Sequence, residues 1–316
     1  MRYRGMMALA ALALAPAPVR ANDTTARLSA GGLVITRSDS IRMVSEDLSV
    51  SRDEVRVRYV FLNTSGRKIV TRVAFPMPEI GGPGFHDQDV AIPVESDANF
   101  LGFSTRVDGR NVETEVDQAA FAGGVDRSAW LRSHGVGLEP HLEATGKALL
   151  ALPPDLQQEA RRLGLIDEDL RPVWSLRSAY HWRQAFPAGR RLIVEHAYRP
   201  SVGSTAGTRL GTADGRATAE KYCVGADIMA RLNRSAAAHD GEPRYSEKWI
   251  DYHLVTGGNW KGPIGDFRLV VDKGWSTALV SFCGTGVRRI DLTRFEMRKR
   301  NWRPDRNLSI LFLEPY

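Results

Sequence analysis

Histidine, cysteine and lysine are all scarce in this chain of 316 residues, and each shortage closes off a class of function. The seven histidines are scattered, and no two stand at the i, i+4 spacing that puts a metal-ligating pair on one helix face. The two cysteines, Cys223 and Cys283, fit neither a C-x-x-C redox motif nor a zinc knuckle. No G-x-S-x-G offers a serine nucleophile on a strand-to-helix turn. There is no Walker loop or dinucleotide fingerprint, and Gly284-Thr-Gly286 falls between expected strands rather than before a helix. No cofactor is therefore expected. Only seven of the 43 basic residues are lysine, and the arginines are interleaved with Asp and Glu, so there is no nucleic-acid footprint. Past the first 21 residues no stretch approaches the roughly 18 apolar residues of a membrane-spanning helix.

The chain opens with the parts of an export signal in order. Arg2 and Arg4 give a positive start, Met6 to Ala17 form an apolar run, and Val19-Arg20-Ala21 places small residues where a signal peptidase reads them. Cuts after Ala15 or Ala17 would put Pro16 or Pro18 on the leaving side, where the ring restricts the backbone. Cleavage is expected after Ala21, with no transmembrane anchor afterwards, because the apolar run is shorter than the roughly 20 residues that cross a bilayer. The formal charge is +6, and removal of Arg2, Arg4 and Arg20 leaves +3, a weak field. The densest cluster is Arg298-Lys299-Arg300, with Arg303 and Arg306 close by. It reads as a solvated loop between two C-terminal strands, or as a surface for an anionic lipid headgroup or polymer.

Export also gives the cysteines a meaning. In an oxidising compartment an even, widely spaced pair is most simply one structural disulfide. Closing a 60-residue loop would stabilise the fold by up to about 4 kcal/mol on the chain-entropy estimate.

The hydrophobic pattern predicts a mainly β, β-rich α+β fold, with antiparallel sandwich-like sheets and a short helical insertion. Residues 22–116 read as strand after strand, with Val55-Arg-Val-Arg-Tyr-Val-Phe61 alternating apolar and basic residues. Asp108-Gly109 marks a tight hairpin. Residues 117–171 read as a helical insertion or linker, with Asp126 capping a short helix, helical spacing over Leu142–Leu150, and Pro153-Pro154-Asp155 starting a third. Residues 172–316 return to strands, with one helix from Thr218 through Cys223, Ile228 and Leu232. Pro200 to Gly215 reads as a mobile loop.

Two segments could carry chemistry. His86-Asp87-Gln88-Asp89 follows a glycine-rich loop, so His86, Asp87 and Asp89 are weak metal candidates; the competing reading is a solvated turn, and no metal is expected. Tyr245 to His253, followed by the glycine-rich turn of Gly257 to Asp266, sets aromatics beside acids and amides. That combination suits a carbohydrate or peptide, with Trp249, Asp251, Tyr252, His253, Asn259 and Trp260 as candidate ligand-binding residues. The competing reading is two strands whose tryptophans close the core. No catalytic residue can be named, since paired glycosidase carboxylates converge only in three dimensions.

The runs Gly31-Gly-Leu-Val34, Ile41-Arg-Met-Val-Ser-Glu-Asp47, Val73-Ala-Phe-Pro-Met-Pro78, Lys248-Trp-Ile-Asp251, Gly262-Pro-Ile-Gly-Asp-Phe-Arg-Leu269 and Val280-Ser-Phe-Cys283 resemble a family of exported proteobacterial proteins known only as a domain of unknown function. The resemblance covers nearly the whole mature chain. It implies a periplasmic protein and carries over no catalytic residues. The expected role is a non-catalytic binding or assembly module for an envelope protein, lipid or glycan; the alternative is an envelope hydrolase acting on glycan through paired carboxylates. Mass analysis of the exported protein is expected to give Asn22 as the mature N-terminus, and retention of residues 1–21 would refute the signal.

Overall fold

The alternation in Val55–Asn63 becomes a strand with one dry and one wet face. In the computed structural model Val55, Val57, Tyr59 and Phe61 are buried, while Arg56 and Arg58 are exposed. The structure describes residues 24–29, 32–87, 89–94, 99–212 and 215–316. The expected export signal and Gln88 lie outside these residues.

Among the described residues the fold is mainly β with five α-helices, and its strands form three sheets. An eight-stranded sheet runs Arg288–Arg289, Arg294–Trp302, Ile264–Asp272, Ile41–Ser51, Val55–Asn63, Arg191–Tyr198, Ser104–Val107, Arg110–Val112. A seven-stranded sheet is built around Ser175–Phe186, which pairs with Ile69–Pro76 on one side and Glu115–Ala122 on the other. The third, five-stranded sheet runs Leu279–Phe282, Leu308–Pro315, Tyr245–Tyr252, Val202–Thr205, Asp89–Ala91. All pairings are antiparallel except one. Ile264–Asp272 lies parallel to Ile41–Ser51, which long connections permit and a hairpin would not. Strands from before residue 117 and after residue 171 are thus hydrogen-bonded in the same sheets.

The three sheets converge on one aromatic core. Tyr59 and Phe61 enter it from the eight-stranded sheet, Phe75, Tyr180 and Trp182 from the seven-stranded, and Tyr252 and Phe312 from the third. The hydroxyls of Tyr59 and Tyr252 share a hydrogen bond of 3.1 Å across it, which satisfies two polar groups that burial would otherwise penalise.

Several local expectations need correction. Residues 117–122, read as the start of the helical stretch, belong to the Glu115–Ala122 strand, because the Ser175–Phe186 strand offers them a full register of partners. Asp126 does not cap: its carboxylate accepts from the Ser128 amide and hydroxyl at 2.8 and 2.6 Å in a local turn, and Arg127 is the N-cap residue. The Glu143–Leu150 and Pro154–Arg162 helices stand where the spacing put them. The single helix from Thr218 is two helices, Arg216–Lys221 and Ala226–Ala238. Between them Cys223 takes φ 54°, which a helix cannot contain. Pro200–Gly215, read as a mobile loop, contains the Val202–Thr205 strand. Arg298-Lys299-Arg300 lies within the Arg294–Trp302 strand rather than in a loop. At the predicted hairpin Asp108 and Gly109 take φ 47° and 79°, the positive pair that a two-residue turn between twisted strands requires.

The parallel pairing is reinforced by charge. Glu296, 2% exposed, accepts from Arg268 at 2.8 Å, Arg298 at 3.0 Å and Arg288 at 2.5 Å, and Arg268 reaches on to Asp47 of the Ile41–Ser51 strand at 3.1 Å. Hydrogen bonds from Arg298, Arg268 and Arg288 hold the Glu296 carboxyl at about 2, below its ordinary 4.5. A depressed folded-state pKa contributes stability in full above pH 4.5, and that contribution fades as pH falls through about 2. Denaturant titration from pH 7 to pH 2 is therefore expected to show Glu296→Gln less stable than the parent at neutral pH, the gap closing at the acid end. A pH-independent gap would remove the carboxylate from this account.

Candidate functional site

The Tyr245–Tyr252 strand is covered on both faces, and this divides the residues the sequence singled out. Ile250 and Tyr252 point into the main core, whereas Tyr245 and Trp249 pack against a second cluster built from Leu210, Tyr222, Ile228, Leu232, Leu311 and Leu313. That cluster lies between the third sheet and the two helices. The Cys223–Cys283 disulfide, 60 residues apart in sequence, fastens the turn between those helices to the end of the Leu279–Phe282 strand. Ser281 supports the same turn by donating to the carbonyls of Tyr222 and Cys223 at 3.0 and 3.1 Å.

Trp249 stands where this layer leaves an opening. Its Cα partner in the neighbouring strand is Gly203, and a Cβ added at Gly203 would clash with the indole atoms Cε2, Cζ2 and Nε1. Glycine in a strand here marks a close approach: the half-buried ring packs directly against the Gly203 backbone. On one side of it opens a cleft of about 940 Å³, bordered by Thr208, Lys221, Tyr222, Glu242, Glu247 and Tyr316. On the other is a recess of about 140 Å³ that includes Glu79, Phe85 and Asp251.

The polar groups around the indole are held in defined positions. Glu247, 8% exposed, accepts from the Thr208 hydroxyl at 2.5 Å. Asp251 accepts from the Ser309 hydroxyl at 2.5 Å and from the Lys221 ammonium at 3.3 Å. The same ammonium sits 4.9 Å from the centre of the Tyr222 ring, a favourable cation–π placement. Burial, then the carboxylates of Asp251 and Glu247, push the Tyr222 hydroxyl above its ordinary range, so it keeps its proton. The cleft therefore offers an aromatic face, hydroxyls, carboxylates and one ammonium.

Of the six sequence candidates, Trp249 and Asp251 border these hollows. Tyr252, fully buried, and Trp260, 3% exposed, belong to the core, where Trp260 packs on Phe61 at 4.5 Å and Phe186 at 6.1 Å between ring centres. The short 3-10 turn Val255–Asn259 folds Trp260 inward. The Asn259 carbonyl accepts the Ser38 amide at 2.9 Å, and neither Asn259 nor His253 lines either hollow. Sequence reasoning missed Gly203, Thr208, Lys221 and Tyr222. The usable signal was a lone glycine in a Val-Gly-Ser-Thr run and the position of Lys221-Tyr222 just before a cysteine.

Among the described residues no group of three or more His, Cys, Asp and Glu side chains is placed to hold a metal ion. His86 Nε2 lies 2.9 Å from the Pro172 carbonyl, and Asp89 accepts from the Ser204 hydroxyl at 2.8 Å. These two metal candidates are thus engaged with different partners.

A family described as "Domain of unknown function (DUF4424)" matches residues 21–311. None of the curated proteins matches the chain. Solved structures similar to it include a candidate nutrient-binding protein of Legionella pneumophila, with 14% identity and a TM-score of 0.48 over 93% of this chain and 70% of that one. Another is an M1 zinc metallopeptidase of Deinococcus radiodurans, with 8% identity and a TM-score of 0.28 over 88% and 43%.

Gly203→Ala is expected to displace the Trp249 indole, with a stability loss of about 1–3 kcal/mol from overpacking. The readout is the indole N–H resonance assigned by comparison with Trp249→Phe; an unmoved resonance would show that the ring does not rest on Gly203.

Proposed function

This chain belongs to the DUF4424 family, a domain of unknown function, and on that premise we propose that it is an exported, periplasmic binding or assembly module that holds an envelope glycan at the Trp249 cleft. The observation that carries this reading is the half-buried indole lying on Gly203 beside the Thr208–Glu247 and Lys221–Asp251 pairs. A sugar ring has an apolar C–H face and a girdle of hydroxyls. An aromatic platform flanked by fixed donors and acceptors answers both, and about 940 Å³ is at the upper end of ordinary ligand sites.

Two further observations support it. A disulfide of this kind persists in oxidising compartments, which supports export. Glu247 and Asp251, which flank Trp249 on its own strand, are four residues apart, so their Cα atoms stand about 13 Å apart. Paired-acid glycoside hydrolysis needs carboxyls at roughly 5–9.5 Å, and each of these acids already has its own partner. Binding therefore fits this pair better than hydrolysis.

Titration of the mature protein with soluble peptidoglycan fragments separates the readings. Trp249→Ala is expected to weaken binding about tenfold or more, about 1.4 kcal/mol, with a stability loss smaller than that of a core truncation because the ring is only half-buried. Trp260→Ala is expected to cost about 3–5 kcal/mol of stability as a core truncation. Unchanged affinity in Trp249→Ala would overturn the proposal, and release of reducing ends by the parent protein would replace it with the hydrolase.

A further inference from the structure

Against the Cys223–Cys283 disulfide lies a further concavity of different chemistry. It measures about 390 Å³, within the usual range for small-ligand sites and far larger than the voids of a close-packed interior. Its walls are Leu254, Phe267, Leu269, Met297, Trp302 and Leu308, closed at one side by the Cys223–Cys283 disulfide. Phe267 and Trp302 contribute a tilted ring pair with centres 4.7 Å apart. Gly284 keeps the wall thin, since a Cβ there would stand 2.8 Å from the Met297 sulfur. The mouth carries Thr285, Lys299, Asp305, Arg306 and Asn307.

The mouth carries two cations, Lys299 and Arg306, against one acid, Asp305. Alternation along the Arg294–Trp302 strand turns Arg298 and Arg300 to the face opposite Lys299. Arg298 is engaged by Glu296 and Arg300 by Asp266. Lys299 is fixed at the opening by its bonds to the Thr285 carbonyl, at 2.8 Å, and to the Thr285 hydroxyl. An ammonium has three donors, so one remains for a ligand. Arg306 borders the same mouth, with only a loose, exposed pair to Asp305 at 3.6 Å. An apolar interior under a cationic rim is complementary to one class of molecule.

We infer that this hollow binds a single acyl chain bearing an anionic head group, carboxylate or phosphate, with the chain among Phe267, Leu269, Met297 and Trp302 and the head between Lys299 and Arg306. The site does not depend on the glycan reading, since the two hollows share no lining residue. Chain length reports on the apolar wall and head-group charge on the rim.

Calorimetric titration of the mature protein with monomeric dodecanoate and dodecyl phosphate is expected to give saturable binding. Affinity should rise about three- to fourfold per methylene from the C8 to the C12 carboxylate, following the usual transfer energy of a buried methylene, until the hollow is filled. Dodecyltrimethylammonium should bind about tenfold more weakly or less, because its head meets like charge. The double variant Lys299→Glu with Arg306→Glu should lose about the same factor, and the single variant Arg306→Glu, at an exposed position with only a loose ion pair, should lose part of it with little change in melting temperature. Met297→Trp should abolish binding by filling the hollow. Should that variant not fold, the surface variant and the chain-length series still decide. No saturable binding, equal affinity for the cationic amphiphile, or binding to phosphatidylglycerol vesicles without binding of the monomeric amphiphiles would each overturn the assignment.

Discussion

The Leu308–Pro315 strand is apolar on both faces, and water must be kept from both. Ile310 and Phe312 point into the core shared by the three sheets, while Leu311 and Leu313 point the opposite way into the second cluster. A strand with one dry face could have ended the molecule as an outer layer; this one cannot. It calls for a further layer outside the third sheet, and the Arg216–Lys221 and Ala226–Ala238 helices provide it. Neither is long: the first has six residues and the second thirteen. Isolated helices of such length are marginal in water, and their stability comes from the apolar face they dock. The disulfide and the Ser281 hydrogen bonds secure that docking at its weakest point, the turn where Cys223 departs from helical geometry.

The Trp249 cleft follows from this added layer, and the hollow beside the disulfide from the junction of two sheets. A short helical cover over a five-stranded sheet does not meet it everywhere. Where the cover stops short beside Trp249, Lys221 and Thr208 border the same cleft as the half-buried indole. Where the third sheet meets the eight-stranded sheet beyond the disulfide, apolar walls are left facing each other below a basic strand. The chemistry of each hollow is inherited from the elements that border it: mixed polar and aromatic in the first, apolar with a cationic mouth in the second. The parallel pairing of Ile41–Ser51 with Ile264–Asp272, locked by Glu296 and its arginines, holds the wall of the second hollow in register.

Much of the β architecture could be read along the chain, because period-two burial is a local consequence of strand geometry. Val55–Asn63 is the clearest case, and the Asp108-Gly109 turn follows from the same local chemistry. The misreadings arose where tertiary partners overrode local pattern. Glu115–Ala122 is a strand because Ser175–Phe186 offers it partners, and Val202–Thr205 is one because Tyr245–Tyr252 does. At the site, Trp249 and Trp260 are indistinguishable by local sequence, each in a polar, aromatic-rich setting. One rests at the edge of a cleft on a glycine 46 residues away in sequence, and the other packs on Phe61 and Phe186.

The sequence by itself determined the strand-rich character, the cysteine pair suited to one disulfide, the absence of the common catalytic motifs, and kinship with the DUF4424 family. These properties depend on residue type and on spacings of a few residues. Only the tertiary structure decided which tryptophan borders a cleft and which closes the core, and that Lys299 and Arg306 edge an apolar-walled hollow. Those depend on contacts between segments tens to hundreds of residues apart, and their geometry exists only once the three sheets and their helical cover have packed.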